Sequence, residues 1–304
     1  MSFTLHNCLV VGISSRALFD LEEENRLFER QGVEVYRAFQ REHECDVLQP
    51  GTAFHVIKEL LSVNAHAVGD QRLIEVVVMS RNTPDTGMRI FHSIDHYGLD
   101  ITRAAFTGGE GLDRYLDAFS VDLFLSKSEG DVQAAINAGV AAALLCESPK
   151  DYEPVQHQVR IAFDGDAVLF SEASELIFQQ QGLDAFVAHE QTHAKQQLAE
   201  GPFAKLLKTL AYLQQTLPAE DNPFRLALVT ARNSPSHERV LFTLREWNVI
   251  LDEAFFLGGL AKDQVLKAFR AHIFFDDQDV HLQAASRVVP AGKVPHKTIS
   301  SPSD

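Results

Sequence analysis

Short apolar runs of strand length alternate with amphipathic stretches along nearly the whole chain. Residues 8–13 open the series with Cys-Leu-Val-Val-Gly-Ile, and Val159–Phe163 opens it again further on. Residues 53–63 and 203–213 carry apolar positions at helical spacing, with Leu206, Leu207, Leu210 and Leu213 on one face. Buried-type runs follow at 74–79 and 225–229, then shorter ones at 104–106 and 254–256, then 121–125 and 272–275. Strands alternating with helices predict an α/β protein whose parallel sheet is covered on both faces. Ligands of such sheets bind at the carboxyl ends of the strands, so the residues just after each run are where chemistry is expected.

The two series are one pattern written twice. Shifted by 150 residues, the sequence lies on itself without a gap. Ala17 falls on Ala167, Glu22 on Glu172, Phe28 on Phe178, Gly32 on Gly182, His43 on His193 and Gly51 on Gly201. Ala104, Phe106, Gly108 and Gly109 fall on Ala254, Phe256, Gly258 and Gly259, and Phe124 falls on Phe274. The fold expected is therefore two tandem Rossmann-like parallel-sheet domains related by internal duplication, residues 1–150 and 151–304. The polar stretch 147–156, with Pro149 and Pro154, is the expected junction. The tail from Pro295 has no apolar period and is expected to fray.

Composition narrows the function classes. The three cysteines, Cys8, Cys45 and Cys146, form no C-x-x-C and argue for a reducing compartment rather than a disulfide framework. The first apolar run is too short for a signal h-region or a membrane span, so a cytoplasmic protein without membrane partners is expected. A formal net charge of −15 argues against a nucleic-acid polymer as partner. A phosphate-bearing ligand must then be met by a local donor cluster or a metal.

The strand ends of the second series supply both. The first run ends in Asp164-Gly165-Asp166, two carboxylates that are costly together unless a cation neutralises them. Oxygen-only donors favour a hard ion such as Mg²⁺. The second run ends in Thr230-Ala231-Arg232, a hydroxyl and a guanidinium suited to phosphoryl oxygens. Lys262 follows Gly258-Gly259, and the last run ends in Asp276-Asp277. At these residues the sequence resembles the haloacid dehalogenase superfamily. It is more closely similar to the cytosolic 5′-nucleotidase I family, through Ser14–Phe19, Thr107-Gly108-Gly109, 163–170, 228–232 and 273–278.

The resemblance implies haloacid dehalogenase-type domains and hydrolysis of nucleoside 5′-monophosphates, AMP first, through an aspartyl-phosphate. It makes Asp164 the nucleophile and Asp166 the general acid and base. It assigns Mg²⁺ to Asp164, the Asp166 main-chain carbonyl and Asp276, with Asp277 beside them. The phosphate falls to Thr230, Ala231, Arg232 and Lys262. It also implies a homo-oligomer and a nucleotide activator. The alternatives are a Mg²⁺-dependent phosphatase of another small phosphomonoester, or a nucleotide-sensing protein without turnover.

Residues 174–200 are expected to form a small helical cap in the second domain, with Phe178, Phe186, His189 and His193 able to reach a base or ribose or to serve as cap packing. His189-Glu190-Gln191-Thr192-His193 matches the H-E-x-x-H zinc pattern. The matched residue for His189 in the first series is Phe39, however, and no clear third ligand follows, so no zinc site is expected. In the first series the acidic set is exchanged: Ser14 for Asp164, Arg16 for Asp166, Leu112 for Lys262, and Ser126 and Lys127 for Asp276 and Asp277. That half is expected to be non-catalytic. Its Ser14, Ser15, Arg16, Ser80, Arg81, Asn82, Thr107 and Lys127 suit a phosphate without a metal, as a regulatory nucleotide site or as part of the substrate site from across the interface. A purely structural role is the alternative.

Overall fold

The computed structural model describes residues 5, 8–69, 71–147 and 149–298. The chain divides into two compact units, Met1–Val140 and Ala141–Asp304. Both are mixed α/β with mostly parallel pairing.

The first unit holds β1 (Leu9–Ile13), β2 (Ile74–Ser80), β3 (Arg103–Phe106) and β4 (Leu123–Ser126), in the order β3-β2-β1-β4 and all parallel. Every residue of β1, β2 and β4 is buried. This explains why they read as continuous apolar runs: a parallel sheet with helices on both faces has no polar side. The chain leaves β1 outward through β2 and β3, then returns to β4 on the other flank of β1. The crevice where the order reverses lies at the carboxyl ends of β1 and β4.

The second unit holds β5 (Ala141–Leu145), β6 (Val159–Phe163), β7 (Phe224–Thr230), β8 (Glu253–Phe256), β9 (Ile273–Asp276) and β10 (Ala291–Lys293). Their order is β5-β10-β9-β6-β7-β8. The pairs from β10 to β8 are parallel, and β5 pairs antiparallel with β10, Gly292 opposite Leu145. The sequence reading missed β5 and β10, which are short and rich in alanine and glycine. Gly292 is needed there, since a Cβ on it would lie 2.9 Å from that of Ala143.

The elements recur at the same offset as the residues: Leu9–Ile13 with Val159–Phe163, Ile74–Ser80 with Phe224–Thr230, and Leu123–Ser126 with Ile273–Asp276. The helical segment expected to serve as a cap in the second unit has a helical counterpart in the first. Glu22–Glu42 is broken at Gly32 (φ 81°, ψ −179°), and Ala173–Gln181 and Leu183–Thr192 are separated by Gly182 (φ 83°, ψ −179°). That region of φ/ψ space is open essentially to glycine alone, so one residue type sets the bend in both. The path back to the sheet is set by Gly51 and Gly201. A Cβ on Gly201 would lie 2.5 Å from the carbonyl oxygens of both Val168 and Phe170.

Candidate active site

In the second unit the core beneath the strand ends is aromatic. Phe163, Phe203 and Phe275 pack ring against ring, with centroids 4.8 to 6.4 Å apart. This floor fixes the ends of β6 and β9 and aims their next residues into one crevice. Asp164, Thr230, Arg232, Lys262 and Asp276 are all buried there.

Lys262 Nζ lies 2.7 Å from Asp164 Oδ1 and 2.7 Å from Asp276 Oδ2. The Gln278 N–H donates to Asp276 Oδ1 at 2.8 Å, and His281 Nδ1 sits 3.1 Å from Asp276 Oδ2. Thr230 Oγ1 accepts from the Arg232 N–H at 3.2 Å, and a Cβ on Gly165 would meet that hydroxyl oxygen at 3.2 Å. Glycine between the two aspartates keeps the loop and the hydroxyl in close register. Arg232 clamps Asp166 from two sides, Nε to Oδ2 at 2.8 Å and Nη2 to Oδ1 at 2.6 Å.

Asp164, Asp276 and Asp277 each offer a carboxylate oxygen within 4.8 Å of the others. Three carboxylates this close and this buried repel one another unless protonated or neutralised by a cation. Burial, with Asp164 and Asp276 alongside, pushes Asp277 up to about 8. Burial also raises Asp164 to about 6, the Lys262 ammonium working against it and Asp276 with it. Asp276 is held below its ordinary value, since His281 and Lys262 outweigh its burial. Asp277 Oδ1 is buried with no hydrogen-bond partner. A hard divalent cation fits this set: three clustered carboxylates and an orphaned oxygen.

A family model described as 5′-nucleotidase matches residues 1–301. The chain belongs to the 5′-nucleotidase family. Cytosolic 5′-nucleotidase 1B of Homo sapiens is 38% identical over 291 residues, which are 93% of this chain and 48% of that protein. The chain thus spans about half the length of that curated relative. Among solved structures, a chain of the one described as "Structure of Pnkp1/Rnl/Hen1 complex" is 12% identical with a TM-score of 0.32, covering 98% of this chain and 100% of that one.

In this 5′-nucleotidase-family chain, one of the residues read from sequence as cap candidates, Phe186, touches a crevice residue directly. The Phe186 ring stacks under the Arg232 guanidinium at 5.4 Å, and Phe178 meets Phe186 edge-on at 6.2 Å. His189 Nδ1 lies 3.2 Å from Glu190 Oε1, and His193 Nδ1 lies 2.7 Å from the His189 carbonyl. The two histidine rings lie against each other, 4.2 Å apart.

The residue that sequence reasoning missed is Glu190, the middle of the H-E-x-x-H match. Its side chain is fully buried. It accepts from Arg232 Nη1, from Arg239 Nη1 at 2.9 Å and from Ser174 Oγ at 2.9 Å. These partners overcome the burial penalty and hold its carboxyl below the ordinary range. Arg232 therefore bridges Asp166 and Glu190. The signal was present in the sequence as Glu190 and Arg239 against Gln40 and Arg89, but only with the fold known.

Of the tail expected to fray, residues 299–304 lie outside the described residues, and His296 in the described part is exposed beside two acids. Its Nδ1 lies 2.7 Å from Glu172 and its Nε2 3.6 Å from Asp277.

The set named in the first unit mostly converges. Ser14, Ser15, Arg16, Ser80, Arg81, Asn82 and Lys127 line one cavity. Thr107 does not: its hydroxyl donates to the Glu110 carbonyl at 2.7 Å, which turns it into its own loop. Among the described residues no helix is long and apolar enough to cross a membrane.

Proposed function

We propose that the second unit hydrolyses nucleoside 5′-monophosphates, AMP first, to nucleoside and phosphate, as a cytosolic Mg²⁺-dependent enzyme. The observation that carries this reading is the buried cluster at the carboxyl ends of β6, β7 and β9: Asp164, Asp166, Thr230, Lys262, Asp276 and Asp277 in one crevice. The relative's printed name, a cytosolic 5′-nucleotidase, supports both substrate class and location.

Mg²⁺ would be held by Asp164, Asp276, Asp277 and the Asp166 main-chain carbonyl. When bound it supplies positive charge that offsets repulsion between carboxylates and phosphate. An Asp164 oxygen attacks phosphorus, the bond to O5′ breaks, and its electron pair leaves on that oxygen, which Asp166 protonates. Asp166 then takes a proton from water as the water oxygen attacks phosphorus, which releases Asp164 and inorganic phosphate. Thr230, the Ala231 main chain and Lys262 hold the equatorial oxygens through the transition state. Arg232 has two claims on it. An arriving phosphoryl dianion competes with Asp166 for the guanidinium, and the freed carboxyl can then carry the proton. In this reading Phe178, Phe186, His189 and His193 would meet the nucleoside, and the contact of Phe186 with Arg232 supports that for Phe186.

The same reading makes the two units products of an internal duplication, with residues 1–150 a non-catalytic copy and 174–200 a cap over the catalytic one. Two exchanged ion pairs support it. Glu75 on β2 pairs with Arg103 on β3 at 2.6 Å, and at the matched positions Arg225 pairs with Glu253 at 2.8 Å with the charges swapped. Arg89 pairs with Glu24 at 2.6 Å beside Gln40, while Arg239 pairs with Glu190 beside Ser174. The acid has moved from the first helix of the bent segment to the second, and the arginine has stayed.

The test is phosphate release from a panel of esters with Mg²⁺, using wild type and Asp164→Asn. Nucleoside monophosphates should be preferred over sugar phosphates, and Asp164→Asn should fold normally and turn over nothing. Sugar phosphates outrunning nucleotides would move the substrate class. Activity in Asp164→Asn near that of wild type would remove the nucleophile and the reading with it.

A further inference from the structure

The first unit carries a cavity of about 550 Å³ at the carboxyl ends of β1, β2 and β4. That size is typical of small-molecule sites, ~300–1,000 Å³. Its floor repeats the loop geometry of the acidic crevice. The Asn82 N–H donates to Ser80 Oγ at 3.2 Å, as the Arg232 N–H does to Thr230 Oγ1. The Ser128 N–H donates to Ser126 Oγ at 3.1 Å, as the Gln278 N–H does to Asp276 Oδ1. The loops have kept their course while the side chains have exchanged carboxylates for hydroxyls and cations.

Two polar atoms on this floor are buried and unpaired, Ser14 Oγ and Arg16 Nε. Ser14 stands at the position matching the nucleophile and Arg16 at that matching Asp166. Both can donate, and an unpaired buried donor is costly unless something accepts from it. Arg16 Nη2 and Lys127 Nζ both reach the carboxylate of Glu22, at 3.1 and 3.2 Å, which holds the two cations side by side on this floor. With Ser14, Ser126 and Lys127 at the metal-cluster positions, a divalent cation has no ligands here. A phosphate group has several donors.

The opposite wall is apolar. Phe28 and Tyr36 stand edge to face, 5.8 Å apart, and Phe28 and Val33 are each 47% exposed. In the second unit Arg232 is clamped between Asp166 and Glu190, whereas the matched positions here are Asn82, Arg16 and Gln40.

We propose that this cavity is a second, metal-independent site that binds an organic phosphomonoester without cleaving it, the phosphate on Ser14, Arg16 and Lys127 and a flat apolar group against Phe28 and Tyr36. Without a carboxylate at position 14 no phosphoryl-enzyme can form, so the ligand leaves as it came.

Calorimetric titration of the full chain in EDTA tests this, with AMP, ribose 5-phosphate and inorganic phosphate as probes. EDTA leaves the acidic crevice without a cation and repellent to phosphate. AMP should bind one to one, uncleaved, and about tenfold or more tighter than ribose 5-phosphate, as a stacking wall requires. Ser14→Ala and Arg16→Gln should each weaken AMP about tenfold, and Thr230→Val should not. Ser14→Ala removes a hydroxyl with no partner, so its melting temperature should not fall, which separates lost binding from lost folding. Phe28→Ala should weaken AMP and spare inorganic phosphate. No binding in EDTA would overturn the proposal, as would binding lost in Thr230→Val but kept in Ser14→Ala and Arg16→Gln. Equal affinity for AMP and ribose 5-phosphate would overturn the ligand assignment. Mg²⁺-dependent AMP hydrolysis by Ser14→Ala is read separately and should match wild type, so failure here leaves the hydrolase reading standing.

Discussion

Glu190→Gln is the substitution that most sharply tests how the crevice is built. The side chain keeps its size and loses its charge. In the wild type one fully buried carboxylate faces two guanidiniums, those of Arg232 and Arg239, whose side chains are only 3% and 11% exposed. Removing one partner of a buried ion pair costs about 3–5 kcal/mol, because the other charge is left uncompensated. The amide oxygen still accepts one hydrogen bond, and Arg239 keeps the Gln196 carbonyl at 3.0 Å. The loss should therefore fall near the lower end, about 3 kcal/mol. For a unit of this size that lowers the melting temperature by about 6–12 °C.

Activity should fall further than stability alone explains. Arg232, released by position 190, settles wholly on Asp166 and holds the carboxyl that must carry the proton. The expected signature is a drop in kcat with little change in KM. Differential scanning calorimetry reads the first effect, and phosphate release under Mg²⁺ reads the second. Glu190→Asp, which keeps the charge, should recover part of both. Adding Arg239→Gln to Glu190→Gln should cost less than the two single changes summed, because the surplus cation has gone. A melting temperature within about 1 °C of wild type, with kcat intact, would refute the picture of a buried ionic strut across the crevice.

The remaining expectations concern metal, backbone and ancestry. Burial and the neighbouring Asp164 and Asp276 raise Asp277 to about 8, well above its unfolded value. Stability is then present at low pH and lost as pH rises through about 8, and a bound cation removes the loss. The rise in melting temperature on adding Mg²⁺ should thus be larger at about pH 8.5 than at about pH 6, and an equal or inverted response would count against the cluster. Gly201→Ala puts a Cβ 2.5 Å from two carbonyl oxygens, so the backbone must shift. A loss of roughly 2–3 kcal/mol in chemical denaturation is expected, and none would show that the loop yields freely. Arg225→Glu combined with Glu253→Arg recreates the arrangement of Glu75 and Arg103. The double variant should lie within about 0.5 kcal/mol of wild type while each single variant loses ~0.5–1 kcal/mol, and strict additivity would deny the pairing.

Much of the catalytic site was legible because its residues follow directly from the strands. Once Val159–Phe163, Phe224–Thr230 and Ile273–Asp276 are seen as buried runs, Asp164, Arg232 and Asp277 must lie at their carboxyl ends. The repeat added the contrast between an acidic set and a set of hydroxyls and cations. Glu190 was hidden by its neighbours. Within its own helix it belongs to a zinc-like pattern, and its partner Arg232 lies 42 residues away. Thr107 shows the opposite error, a residue at the right strand end whose hydroxyl is taken by its own loop.

The sequence by itself determined the alternation of strands and helices, the 150-residue period, the acidic residues at successive strand ends and the glycines at 32 and 182. Each of these is local: burial on both faces writes an apolar run, and a φ near 81° or 83° demands glycine. Tertiary structure alone decided which charges meet across the crevice, that Arg232 is clamped between Asp166 and Glu190, and that His296 lies against Glu172. These depend on distances of a few ångströms between residues far apart in the chain, and ion-pair energies change steeply over such distances. Residue type fixes what a side chain can offer, and packing fixes what is near enough to accept it.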